Sequence, residues 1–93
     1  MKGRRFDSVW DAIEPAPEKA AQLKARATLM TALRDRIEKA RWSQAEAARK
    51  LGVSQPRVST LMRGKLSLFS LDTLVAMAAL AGLRVEIRIR RAA

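Results

Sequence analysis

The chain has no cysteine, no histidine and no tyrosine. Without cysteine there is no disulfide and no thiolate metal site. With histidine missing too, catalysis would fall to carboxylates, lysines and serines. No two carboxylates are spaced to share a pocket. Gly52, Gly64 and Gly82 stand alone, so no glycine-rich loop is available to cradle a phosphate. These absences point to a non-enzymatic protein with no cofactor and no metal. Long apolar runs are lacking as well. The longest nearly uncharged stretch, residues 66–83, contains Asp72 and reads as amphipathic. Arg4-Arg5 is not followed by an apolar segment, which argues against a twin-arginine signal. The expectation is a soluble, cytoplasmic protein with no membrane partner.

The residues that are present fit one small domain. The 93 residues are 48% hydrophobic, too apolar for a disordered tail. A domain of this size buries a limited share of its surface, so a second subunit would help it. Nineteen Lys and Arg against nine Asp and Glu give a net charge of +10, a field that attracts polyanions. The charge is unevenly placed. Residues 47–71 contain no acid but do contain Arg49, Lys50, Arg57, Arg63 and Lys65, whereas residues 32–46 mix both signs. The excess is thus gathered on one stretch, as a binding face requires.

The local signals divide the chain into an N-terminal extension (1–16), a helical domain (17–82) and a C-terminal strand with a basic tail (83–93). Ser8-Val9-Trp10-Asp11 can open a short helix, and Pro15 and Pro17 separate it from the helical domain. From Glu18 to about Arg41 the residues are strong helix formers. Leu23, Ala27, Met30, Leu33 and Ile37 recur at helical steps and mark one apolar face. Three short helices come next. Ser43 and Glu46 form a capping-box pattern, and Gly52 stops that helix. Ser54 caps the second, Pro56 sits in its first turn, and Gly64 ends it. Ser70 caps the third, with Asp72 near its positive end and Gly82 as its stop. Then Leu83, Val85, Ile87 and Ile89 alternate with Arg84, Glu86, Arg88 and Arg90, the pattern of a strand with one buried face. Such a strand must pair with the N-terminal segment, with its own copy, or with another protein.

The pair of helices from Gln44 to Arg63, joined by Gly52-Val53-Ser54, meets the demands of a helix-turn-helix. Ala48 is small enough for a close helix approach, and Val53, Val58 and Leu61 would lock the second helix to the domain. Its other positions, Gln55, Arg57, Ser59, Thr60 and Arg63, are polar or basic and suit base edges in a major groove.

The run Ser43-Gln44-Ala45-Glu46-Ala47-Ala48 … Leu51-Gly52-Val53-Ser54-Gln55-Pro56-Arg57-Val58-Ser59 … Arg63-Gly64-Lys65 resembles the lambda-repressor-like (Xre) helix-turn-helix family. Leu68-Phe69-Ser70-Leu71-Asp72-Thr73-Leu74 … Gly82-Leu83-Arg84-Val85-Glu86-Ile87, with Phe6-Asp7-Ser8-Val9-Trp10-Asp11, is similar to a branch that includes HigA-like antitoxins. The resemblance implies a mainly all-α, five-helix domain with a short C-terminal β-strand. It implies Gln44 against a phosphate, and Gln55, Pro56, Arg57 and Thr60, from the beginning and exposed side of the recognition helix, against base edges, with Ser54 also among the DNA-binding residues. Pro56 departs from the polar reader usual there; it either touches a thymine methyl or only shapes the helix start. Arg63, Lys65, Ser59 and the amides near Ser67 suit phosphates. Members of the family bind inverted repeats of double-stranded DNA as homodimers.

Two dimer elements are available, the 83–90 strand with Val85, Ile87 and Ile89, and the apolar face carrying Leu74, Val75, Met77 and Ala78. Three functions stay open: an autoregulating antitoxin that also neutralises a protein toxin, a stand-alone Xre-type regulator, and a protein-interaction module. Phe6, Val9, Trp10 and Ile13 either mark a partner interface, where Trp is enriched, or fold back over the helices.

Overall fold

The computed structural model describes residues 16–91, and the N-terminal segment with Trp10 lies outside them. The described chain forms four α-helices and one 3₁₀ turn: α1 (Pro17–Ala40), α2 (Gln44–Leu51), α3 (Gln55–Met62), the turn Leu66–Leu68, and α4 (Leu71–Leu80). No helix among the described residues is long and apolar enough to cross a membrane.

Each helix starts where its local chemistry dictates. Pro17 opens α1 at a position whose amide needs no intrahelical partner. The Glu46 amide donates to Ser43 Oγ at 3.1 Å, the Arg57 amide to Ser54 Oγ at 3.3 Å, and the Thr73 amide to Ser70 Oγ at 3.1 Å. The capping box at Ser43 is half made, because the Glu46 carboxylate faces Arg49 at 3.9 Å. The stops differ more. Gly52 takes φ 70°, but α1 ends at Arg41 with φ 59° and ψ 36°, a left-handed residue with a full side chain. The Arg41 amide donates to the Glu38 carbonyl at 3.1 Å and the Trp42 amide to Ile37 at 3.2 Å, which closes the helix. Arg41→Gly should therefore stabilise the fold by roughly 0.5–1 kcal/mol, because glycine adopts this conformation without steric cost. A rise in thermal midpoint supports this account, and a fall refutes it.

The core is wholly apolar. Leu33, Leu51, Val58, Leu61, Phe69, Leu74 and Met77 are buried, with Ala47 and Ala48 beneath α3, and among the described residues no polar or charged residue is buried with them. Helix α1 packs chiefly on α4, and α2 packs on α3. The expected apolar face of α1 is right only in its second half. Met30, Leu33 and Ile37 are buried, but Ala27 is exposed and Leu23 is 43% exposed. At 1.5 Å per residue, the eight exposed residues 17–24 extend α1 about 12 Å past the residues that bury it.

Two expectations are corrected here. The described residues contain four α-helices where five were expected; the helix expected at Ser8–Asp11 falls outside them. The 83–90 segment is not a strand. The Leu83 amide donates to the Ala78 carbonyl at 2.9 Å, which completes the end of α4. Beyond it, Leu83 and Val85 pack against the core while Arg84 and Glu86 face outward, so the alternation is real. It makes no ladder because no other described segment is a strand, and the helices beside it spend their backbone groups internally. Ile87 and Ile89 are left 81% and 87% exposed. Between this tail, α1 and α4 lies a groove of about 540 Å³, lined by Leu29, Ala32, Val75, Ala78, Val85 and Ile87 among others.

Candidate nucleic-acid interface

Helix α3 is eight residues long and is fixed by Val58 and Leu61, both fully buried. At 100° per residue, the opposite side of the helix carries Pro56, Ser59, Thr60 and Arg63, with Gln55 and Arg57 on its flanks. Ser54, Gln55, Pro56 and Arg63 are exposed, and Arg57, Ser59 and Thr60 are half-buried. Gln44 is exposed at the first position of α2, and Lys65 is exposed just past α3. The fold thus joins the expected residues through the paired α2 and α3 and the turn after them.

Several side chains are committed to internal bonds. Ser54 Oγ accepts from Arg57, so it serves the helix start first. Thr60 Oγ1 donates to the Pro56 carbonyl at 3.0 Å, leaving its methyl and a lone pair for anything outside. The Arg57 guanidinium lies over the Phe69 ring, 4.1 Å from its centroid. In the loop, the amides of Leu66, Leu68 and Phe69 donate to Gly64, Lys65 and Leu66 carbonyls. Of the amides around Ser67 that the sequence offered to a phosphate, those three are already used.

The acid-free stretch also overstates the cationic face. Arg49 is paired with Glu46, and Lys50 sits 5.3 Å from the Trp42 ring centroid, where Arg36 also lies at 4.9 Å. Arg63 and Lys65 are exposed, with Arg57 ordered on its ring.

Composition could not show what the arginines of α1 do. Arg36 Nε donates to the Ala81 carbonyl at 2.9 Å, at the end of α4. Arg26 Nη1 donates to the Leu66 and Phe69 carbonyls, each at 3.4 Å. Arg34 approaches Gly64 at the end of α3, where an added Cβ would lie 3.3 Å from Nη1. Neither α3 nor α4 has a basic residue in its own last turn. The negative ends of both helices are met by cations from α1, where a helix gains from them. The readable signal was the missing cation in the last turns of α3 and α4, where α2 carries Arg49 and Lys50.

A family described as a helix-turn-helix domain matches residues 13–90. A solved structure described as a putative XRE-family transcriptional regulator is 39% identical, with a TM-score of 0.73, over 80% of this chain and 83% of that one. No curated protein matches the chain.

Proposed function

Since the chain belongs to the XRE-type helix-turn-helix family, we propose that it is a DNA-binding transcriptional regulator that represses by reading a specific operator. The observation that carries this reading is α3 itself. One side is locked into the core by Val58 and Leu61, and the other presents polar side chains to solvent beside Arg63 and Lys65. A helix built this way can enter a major groove without disturbing the core.

In this reading Gln44 holds a phosphate from the start of α2. Gln55, Pro56, Arg57 and Thr60 meet base edges, with Pro56 and the Thr60 methyl suited to thymine. Ser54 lies at the same end, and Ser59, Arg63, Lys65 and the Ser67 amide hold the backbone. The protein acts as a two-fold dimer on an inverted repeat with half-sites about ten base pairs apart. The dimer contact is the 83–90 tail, with Val85, Ile87 and Ile89, together with the groove it borders. The groove joins the two dimer elements expected from sequence, since Val75 and Ala78 line it beside Val85 and Ile87.

The finer role we propose is that of an autoregulating antitoxin, with residues 1–16 and Trp10 contacting the toxin. Deleting residues 1–16 should then abolish toxin binding and spare DNA binding. The alternative, a regulator without a toxin, is favoured by the solved relative, which is described as a transcriptional regulator.

The experiment that tests DNA reading is a titration of an operator-containing promoter fragment against random duplex at several salt concentrations. Specific binding at least about a thousandfold tighter, falling steeply with salt, is the expected result. Equal and weak binding to both DNAs overturns it and leaves a basic protein-interaction module.

A further inference from the structure

Arg57 and Phe69 come from different elements and meet face to face. Phe69 is 1% exposed, its amide donates to the Leu66 carbonyl, and its own carbonyl accepts from Arg26. The ring is therefore fixed between the 3₁₀ turn and the cap of α4. Arg57 lies in the first turn of α3, the end of a recognition helix that reaches base edges. Its guanidinium rests on this ring at 4.1 Å and, among the described residues, makes no ion pair or side-chain hydrogen bond. A guanidinium lying on an aromatic face keeps the N–H groups along its edge available. The side-chain freedom an arginine would lose on binding has largely been given up on folding.

We propose that Phe69 is a positioning residue that aims Arg57, as a two-pronged donor, at one guanine in each half-site. Guanine shows two acceptors in the major groove, N7 and O6. Adenine replaces the second with a donor, which an arginine cannot satisfy. A phosphate would take the same fork with no sequence preference, and the test separates the two sources. The proposal rests on the DNA-reading function above.

The experiment is selection of binding sites from random duplex with the full chain, followed by titration of the selected site and of single-base variants. For the parent, changing that guanine to adenine in one half-site should weaken binding about tenfold to a hundredfold. Arg57→Lys, which keeps the charge but loses the planar fork, should bring that penalty below about threefold while binding to random duplex is kept. Phe69→Leu should do the same, with helix content and binding to random duplex unchanged. Arg57→Lys weakening selected and random DNA alike assigns the fork to a phosphate and overturns the proposal. A guanine penalty unchanged in Phe69→Leu overturns the positioning role. If selection enriches no sequence, the DNA-reading function fails and this inference with it. Enrichment without an Arg57-dependent guanine sinks the inference alone.

Discussion

The double variant Ile87→Asp, Ile89→Asp is expected to bind a two-half-site operator at least about a hundredfold more weakly than the parent, and a single half-site unchanged. Two linked reading units gain on the order of 10²- to 10⁴-fold over one, because the second contact becomes intramolecular. The proposed link is the 83–90 tail. Ile87 and Ile89 are 81% and 87% exposed, so aspartate at these positions removes nothing from the core of one subunit. In an apolar contact between two copies, the same change places like charges where apolar side chains were to be buried. Sedimentation should show the parent as a dimer and the variant as a monomer of unaltered helix content. If mass and operator affinity both stay at parent values, the tail is not the contact.

Leu61→Ala should lower folding stability by about 2–4 kcal/mol. Leu61 is fully buried on α3 within the apolar cluster, so the loss combines transfer free energy with an imperfectly filled cavity. For a domain of this size that corresponds to a fall in midpoint of roughly 10–25 °C. Leu23→Ala is the control, since Leu23 is 43% exposed on the projecting part of α1. It should change stability by less than about 0.5 kcal/mol. Equal losses at the two positions would mean that the first turns of α1 are covered in solution.

Leu23 also shows where sequence reading stops. It falls on the same periodic stripe as the buried Leu33, and periodicity reports a face but not how far along a helix a neighbour covers it. The caps were readable because they are local. Ser43, Ser54 and Ser70 each take an amide three residues on, and Gly52, Gly64 and Gly82 take positive φ where their helices stop. The face of α3 was readable for a similar reason: Val58 and Leu61 define its inside, and the polar residues take the outside by geometry. The tail misled because alternation describes side chains, whereas a strand requires a second backbone. The Arg57–Phe69 contact spans twelve positions and the Arg36–Ala81 bond forty-five. Neither partner carries a mark that names the other.

The α1 arginines also set a limit on protein engineering. Helices α3 and α4 have no basic residue in their last turns; Arg34 stands beside Gly64 just past α3, Arg36 holds the end of α4, and Arg26 holds the loop between them. The helix-turn-helix pair is therefore not a portable cassette. Grafted alone onto another scaffold, it would leave behind Arg34 at the end of α3 and Arg26, which holds the loop that follows. A working transplant has to carry α1, or rebuild Arg26 and Arg34 in the host.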